Sequence, residues 1–272
     1  MSRVTLAAGV LSGIAPAAIT SAAIALTGIA LTAPANAASF LFIRHAESTT
    51  NAGTASTPEE LVDPPLTDLG QQQAEDLAVA LRGIDLTAIY VSTYQRTALT
   101  IAPTAAETGL TPIAVDEIKE WDFGTGDLDY AAIEAMFGAW LAGDTSASIP
   151  GSPGSESLDE LNARVVPAYQ EIVARHADEE GVVAIVGHGG SIGWTMPSFA
   201  ENVTLLYAVQ NGLNNTGIVE VELYDGRPYV TSWQGEALDW PGASATVPVP
   251  ASLPLLAAAL GGLAMLRRRR AA

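Results

Sequence analysis

The chain has 272 residues, no cysteine and a formal net charge of −18 at pH 7. The lack of cysteine excludes disulfides, thiolate metal ligands and a cysteine nucleophile. The acidity is concentrated between the two ends, where seven basic residues face thirty acidic ones, a net charge of −23. Such a charge argues against nucleic acid and anionic lipid as partners.

Residues 1–37 are predicted to be a secretory signal peptide. They carry a single charge, Arg3, followed by a long apolar stretch that closes on the small residues of "APANAA". Small residues in this spacing are typical of a signal-peptidase cleavage site. The stretch is also long enough to span a bilayer, so an uncleaved membrane anchor is the alternative, and Pro16 and Pro34 favour cleavage.

The first part of the remaining chain alternates strands with helices. The apolar run "ASFLFIRH" is typical of a strand in the centre of a parallel sheet. The next segment, "PLTDLGQQQAEDLAVALRG", predicts a helix with Thr67 as its N-cap and Gly83 as its stop. A strand, a helix and a further strand then follow as "LTAIYVST", "QRTALTIAPTAAETG" and "PIAVDE".

The second part continues this alternation. A helix in "YAAIEAMFGAWLAGD" precedes a long helix that opens with a capping box, Ser157 and Glu160, and that Pro167 is expected to kink. The strand "GVVAIVGHGG", helices in "IGWTMPSFA" and "TLLYAV", and a hairpin around Asp225-Gly226 complete the domain. The pattern predicts one domain, residues 38–240, with an α/β fold: a three-layer α/β/α sandwich around a mostly parallel sheet.

Residues 241–272 are predicted to be a linker and a C-terminal tail. The tail combines "VPVPASLP", an apolar stretch over residues 253–266 and the cluster Arg267 to Arg270. It resembles the VPxPA-type sorting signals of exosortase-processed bacterial proteins. The resemblance implies an exported protein that is secreted or held at the cell surface, with the export and sorting machinery as partners and a membrane contact through the tail until processing. A simple C-terminal membrane anchor is the alternative.

Two of the three histidines follow buried strands, at the edge of the sheet where ligands bind in folds of this kind. His45 comes directly after Arg44, and His188 ends the fourth predicted strand; Arg96 follows the second strand. Because guanidinium groups pair bidentately with phosphoryl oxygens, these four residues predict a pocket for a dianion. The alternative is two structural histidines and two arginines that pair with carboxylates. His176, among charged neighbours, is interpreted as solvated surface.

Six segments carry motifs whose order is informative: "RHAESTTN", "PLTDLGQQQA", "VSTYQRTALTIA", "EIKEWDFGTGD", "GSESLDELNAR" and "VAIVGHGGSI". In this order they resemble the signature of the histidine phosphatase (phosphoglycerate mutase-like) superfamily. The match covers about residues 40–223, and six ordered motifs are far more specific than an isolated Arg-His pair.

The resemblance implies phosphoryl transfer in two steps without a metal or a cofactor. His45 would attack phosphorus and become a phosphohistidine, while Arg44, Arg96 and His188 hold the phosphoryl oxygens. Asn51 matches an asparagine that lines the phosphate pocket, and Gly189 follows His188 in the last motif.

The same resemblance places a general acid at Glu120, which would protonate the leaving alkoxide and then activate water. We expect this carboxyl group to be partly buried beside Trp121 or Phe123. Glu117 and Asp122 are close enough in sequence to be alternatives.

Two departures from the family pattern concern the substrate. Ala46 replaces a glycine and is expected to narrow the approach to His45, and Thr125-Gly126-Asp127 replaces a Trp-Glu-Gly segment on the leaving-group side. The favoured function is an exported phosphomonoesterase of the histidine acid phosphatase type that acts on a small phosphate ester. The alternatives to this phosphatase function are a catalytically silent surface binding module and a phosphoglycerate mutase-type phosphotransferase.

Overall fold

The computed structural model of the protein describes residues 38–125 and 129–245. The predicted signal peptide, the sorting tail from residue 246 and residues 126–128 lie outside this range. No helix of the described residues is long and apolar enough to cross a membrane.

The described residues form seven strands and seven α-helices. The strands are β1 Ser39–Arg44, β2 Leu86–Ser92, β3 Ile113–Val115, β4 Val182–Gly187, β5 Ile218–Tyr224, β6 Arg227–Trp233 and β7 Glu236–Ala237. The helices are α1 Pro58–Val62, α2 Asp68–Leu81, α3 Gln95–Thr108, α4 Tyr130–Leu141, α5 Leu158–His176, α6 Gly189–Phe199 and α7 Leu205–Asn211. Short 3-10 helices follow at Asp116–Ile118 and Pro241–Ala245.

All seven strands join one mixed sheet in the order β3-β2-β4-β1-β5-β6-β7. Strands β1 to β4 pair in parallel, and β5 to β7 add an antiparallel extension beside β1. Arg44 of β1 pairs with Gly187 of β4. The residues that follow these two strands, His45 and His188, therefore leave the same edge of the sheet side by side.

Helices cover both faces of the sheet, which confirms the predicted three-layer sandwich. Side chains of α2 and α3 pack on one face, and those of α4 to α7 pack on the other. Every residue of β4 is buried because this strand lies between β1 and β2 under both helical layers. Its continuous aliphatic sequence reflects that position.

Helix α5 begins with the predicted capping box and runs through Pro167 without interruption. Its last residue corrects a prediction: His176 is only 8% exposed, with Nε2 2.9 Å from the Tyr90 hydroxyl and Nδ1 2.5 Å from a Glu179 carboxylate oxygen. The interpretation as solvated surface is wrong because His176 continues the buried face formed by Tyr169, Ile172 and Val173 at helical spacing.

Gly70 fixes the start of α2 against the loop that follows β1. Thr67 caps the helix by accepting a hydrogen bond from the Gly70 N–H, and a Cβ atom at Gly70 would lie 2.0 Å from the Glu47 carbonyl oxygen. We expect Gly70→Ala to lower the free energy of unfolding by about 1–3 kcal/mol through overpacking. Gly138→Ala in α4, where a Cβ atom meets nothing within 4 Å, is expected to raise it by about 0.5–1 kcal/mol. Urea denaturation of both variants measures the difference, and equal effects would contradict the steric argument.

Candidate active site

The ends of β1 and β4 and the start of α3 bring two histidines and an arginine together. The rings of His45 and His188 lie 5.1 Å apart between centroids, and both are almost fully buried. Nε of Arg96 lies 3.2 Å from Nε2 of His45 and 3.2 Å from Nδ1 of His188. The topology thus places three residues from distant parts of the sequence at one point.

The hydrogen bonds of His45 define its tautomer. Nδ1 lies 2.7 Å from the carbonyl oxygen of Ala46, which only accepts, so Nδ1 carries the hydrogen. Nε2 accepts from Arg96 and therefore carries the lone pair. Burial lowers the pKa of His45 to about 3, the charges of Arg96 and Arg44 act in the same direction, and the bond to Ala46 opposes them. His45 is therefore a neutral imidazole whose Nε2 lone pair faces Arg96.

We expect the His45 imidazole to stay neutral as the pH falls from about 8 to about 5, whereas an unperturbed histidine gains its proton near pH 6.5. The sign follows from the lowered pKa, because the neutral form persists until the pH approaches about 3. Nitrogen-15 chemical shifts of labelled histidine, assigned through loss of the signal in His45→Ala, measure this directly. A titration midpoint above about pH 6 would contradict the burial argument.

His188 is held in the opposite tautomer. Its Nδ1 accepts from Arg96, so Nε2 carries the hydrogen and donates to the Ser92 hydroxyl at 2.7 Å. Complete burial lowers the pKa of His188, and the neighbouring positive charge of Arg96 adds to the effect. Tyr94, which the sequence did not single out, packs its ring nearly perpendicular to that of His188, and its ring centroid lies 4.5 Å from the Arg96 guanidinium carbon.

The two arginines keep donors available for an anion. No described residue accepts a hydrogen bond from the terminal nitrogens of Arg96, and the buried Nε of Arg44 has no partner among the described residues. Arg44 does donate through Nη1 to the carbonyl of Leu213 at 2.5 Å. No described carboxylate forms an ion pair with either arginine, whereas each of the other five described basic side chains has one: Arg82, Lys119, Arg164, Arg175 and Arg227. The alternative in which Arg44 and Arg96 pair with carboxylates is therefore not what the structure contains.

Glu120 reaches the same site as a cap for α6. One carboxylate oxygen accepts from the N–H groups of Ser191 at 2.7 Å and Trp121 at 3.0 Å, and the other accepts from Gly190 at 3.2 Å. His188, the N-cap residue of α6, supplies no side-chain cap, so the carboxylate takes N–H groups that the helix leaves unpaired. Glu120 is half-buried and adjoins Trp121, as expected from the sequence.

The alternative acids point elsewhere. Glu117 is exposed, and a carboxylate oxygen of Asp122 accepts from the Gly124 N–H at 2.8 Å.

The close packing around the two positions after His188 explains why both are glycines. A Cβ atom at Gly190 would lie 2.6 Å from the Glu120 carboxylate, and one at Gly189 would lie 3.0 Å from Nε of Arg44.

The loop before β5, which the sequence did not indicate as part of the site, forms hydrogen bonds to the segment that carries His45 and Asn51. Nδ2 of Asn215 donates to the His45 carbonyl oxygen at 2.9 Å and to Oδ1 of Asn51 at 3.2 Å. Oδ1 of Asn51 also accepts from the Ser48 N–H and hydroxyl, which leaves the Asn51 amide nitrogen as the group available to a phosphate. No local motif indicates this role, because 170 residues separate Asn215 from His45.

We expect Asn215→Ala to lower kcat/KM about tenfold. The change removes two hydrogen bonds, each worth about 0.5–1.5 kcal/mol, and about 1.4 kcal/mol corresponds to a factor of ten in rate. Steady-state kinetics with p-nitrophenyl phosphate measure the effect. Asn211→Ala is the control, since the Asn211 amide bonds only within α7, to the Tyr207 carbonyl; equal losses in the two variants would contradict a role specific to Asn215.

Ala46 does not narrow the pocket, so that prediction is wrong. The residue is fully buried and packs with Leu66 and Ala74, on the side of α2. Its N–H donates to the Thr100 hydroxyl at 2.8 Å. The methyl group fills the core beneath the loop instead of the approach to His45. Gly126 and Asp127 of the other departure lie outside the described residues.

Comparison with known proteins gives a consistent picture. A family model described as the histidine phosphatase superfamily (branch 1) matches residues 40–235. A phosphoserine phosphatase 1 of Hydrogenobacter thermophilus is 32% identical over 153 residues, which cover 54% of this chain and 69% of that protein. A 2,3-bisphosphoglycerate-dependent phosphoglycerate mutase of Cytophaga hutchinsonii is 30% identical over 160 residues, which cover 56% of this chain and 72% of that protein. Among solved structures, a mycobacterial glucosyl-3-phosphoglycerate phosphatase superposes with a TM-score of 0.59 at 25% identity, covering 74% of this chain and 100% of that one.

Proposed function

Because the chain belongs to the histidine phosphatase superfamily, we propose that it hydrolyses phosphate monoesters of small molecules through a phosphohistidine at His45. One observation carries the proposal: the lone pair of His45 Nε2 faces Arg96, and both Arg96 and the adjacent Arg44 have unpaired donors and no ion pair with a carboxylate among the described residues. An anion with several oxygens fits such a set of donors, and a neutral buried imidazole is the form that can attack phosphorus.

In the first step, Nε2 of His45 forms a bond to phosphorus as the bond to the ester oxygen breaks. Arg44 and Arg96 stabilise the charge that spreads over the phosphoryl oxygens, and the Asn51 amide adds a donor. Arg96 lies between the two rings, and His188 positions this arginine by accepting a hydrogen bond from its Nε at Nδ1. Glu120 gives its proton to the leaving oxygen, so the product is an alcohol.

In the second step, water attacks phosphorus and the phosphorus–nitrogen bond breaks. The ionised Glu120 takes a proton from the water, inorganic phosphate forms, and His45 regains its lone pair. The hydrogen bond from His45 Nδ1 to the Ala46 carbonyl keeps the ring in the same orientation through both steps.

Two alternatives are less well supported. A silent binding module was suggested by Ala46, which packs in the core and leaves the pocket intact. A mutase needs additional cations for the carboxylate of its substrate, and the basic side chains outside the pocket in the described part of the chain are engaged in ion pairs. Hydrolysis therefore fits the described residues better than transfer between phosphoglycerates.

The test is an assay of the purified chain with p-nitrophenyl phosphate, phosphoserine and 3-phosphoglycerate, with and without EDTA. We expect release of inorganic phosphate that EDTA does not change, and activity that persists in acid, as in a histidine acid phosphatase, because the lowered pKa keeps His45 neutral. Turnover no higher than in His45→Ala across the pH range would reject the function. Isomerisation of 3-phosphoglycerate without release of phosphate would favour the mutase.

We also propose that the protein is exported and acts at the cell surface or after secretion. The support is the sequence alone, namely the leader-like residues 1–37 and the tail with its four arginines. Mass spectrometry of the protein recovered from outside the cytoplasm tests both ends. An intact mass that retains Met1 and Arg270 would contradict the proposed processing.

A further inference from the structure

The segment that carries Glu120 is held by a single guanidinium group. Arg164 of α5 binds Glu156 bidentately, Nε to one carboxylate oxygen at 2.7 Å and Nη2 to the other at 2.6 Å. Its remaining N–H groups donate to the backbone carbonyls of Glu117 at 2.7 Å, Lys119 at 3.2 Å and Glu120 at 3.3 Å. All five N–H donors of an arginine are thus used.

Glu156 holds the other end of the same segment. Its carboxylate accepts from the Asp122 N–H at 3.0 Å, and its own N–H donates to the Asp122 carbonyl at 2.9 Å. Its carbonyl accepts from the Trp121 indole N–H at 2.7 Å. The backbone from residue 117 to residue 122 is therefore fixed on one side, and the Glu120 side chain extends from it to the N-terminus of α6.

We infer that Arg164 and Glu156 are positioning residues that set where the Glu120 carboxyl group meets the leaving oxygen. This inference rests on the proposed function. Neither side chain touches the histidines, and both are largely buried, with 24% and 17% of the side chain exposed. A displacement of about 1 Å in a reacting group costs about 100-fold in rate. Loss of the pair is therefore expected to weaken proton transfer far more than phosphate binding, because Arg44, His45 and Arg96 lie on β1, the loop after it and α3.

The structure offers a matched control in Arg82 and Glu107. This pair has the same bidentate geometry, with distances of 2.9 and 2.5 Å, but it joins the ends of α2 and α3 and is more exposed, at 60% and 39%. Its removal perturbs an arginine–glutamate fork without touching the Glu120 segment.

The experiment compares kcat/KM for phosphoserine and p-nitrophenyl phosphate in the full chain and in Arg164→Met, Arg164→Lys and Arg82→Met. This ratio reports the steps up to phosphorylation of His45, where an alkyl leaving group needs the proton and p-nitrophenol hardly does. We expect Arg164→Met to lower kcat/KM about 100-fold for phosphoserine and by less than about threefold for p-nitrophenyl phosphate. Arg164→Lys keeps the charge and loses the fork, and it is expected to show the same selectivity. Arg82→Met is expected to match the wild type.

Equal losses on both substrates, or no loss, would overturn the inference while leaving the proposed function intact. Absence of turnover in the wild type would instead reject the proposed function. In that case, amide hydrogen exchange tests separately whether Arg164 and Glu156 hold the backbone of residues 117–122. Arg164→Met is expected to speed exchange at Trp121 and Asp122 at least about tenfold, and Arg82→Met is not. Unchanged exchange at these amides would mean that Arg164 does not hold this backbone segment, and it would overturn the inference.

Discussion

Replacing His45 by alanine is expected to lower kcat/KM for p-nitrophenyl phosphate by at least about 10⁴-fold, because the change removes the attacking atom. His188 is not expected to take over, because its ring is fully buried and its Nε2 donates to Ser92. The variant is also expected to lose an acid-labile phosphoryl label that the wild type acquires from phosphorus-32 substrate in rapid-quench experiments.

A second histidine variant controls for loss of fold. His176→Gln changes a buried imidazole that bonds to Tyr90 and Glu179, outside the pocket. We expect it to retain the label and turnover at reduced stability, and circular dichroism is the check that both variants are folded. Label that persists in His45→Ala, or activity within tenfold of the wild type, would contradict a nucleophilic role.

The architecture and the centre of the site follow from local sequence. Arg44, His45 and His188 come directly after continuous apolar runs, and such runs predict buried parallel strands that end at one edge of a sheet. The register, which pairs Arg44 with Gly187, then brings the histidines together without further information. Arg96 lies at the second position of the helix after β2, so the same reasoning places it nearby.

The supports of the site were not predictable because their partners are distant in sequence. Asn215 is an ordinary polar residue until the fold brings it to His45, 170 residues away along the chain. Arg164 ends the motif "GSESLDELNAR", but the motif does not show that this arginine binds the Glu120 segment, 44 residues away. The prediction for His176 is wrong for a different reason. Its charged neighbours suggest a surface position, although helical spacing from Tyr169 puts it on the buried face. The prediction that Ala46 narrows the approach to His45 is wrong because a loop residue has no periodicity to show which way its side chain points.

Glu120→Gln is expected to separate substrates by their leaving groups, with kcat/KM falling about 10²- to 10³-fold for phosphoserine and less than about tenfold for p-nitrophenyl phosphate. Glutamine is a gentle probe at this position. With its amide oxygen in the place that accepts from Ser191 and Trp121, it keeps two of the three hydrogen bonds and loses the one from Gly190. A general loss of activity through a displaced helix is therefore not expected.

Glu117→Gln and Asp122→Asn are the matched controls, since each removes one negative charge from the same segment. Neither is expected to change the ratio between the two substrates, because the Glu117 side chain is exposed and the Asp122 carboxylate binds the Gly124 N–H. If the acid were Asp122, its variant and not Glu120→Gln would show the selective loss. If Glu120 served only as a cap for α6, both substrates would be affected alike, since a cap acts on the position of His188 and the phosphate pocket and not on the leaving oxygen.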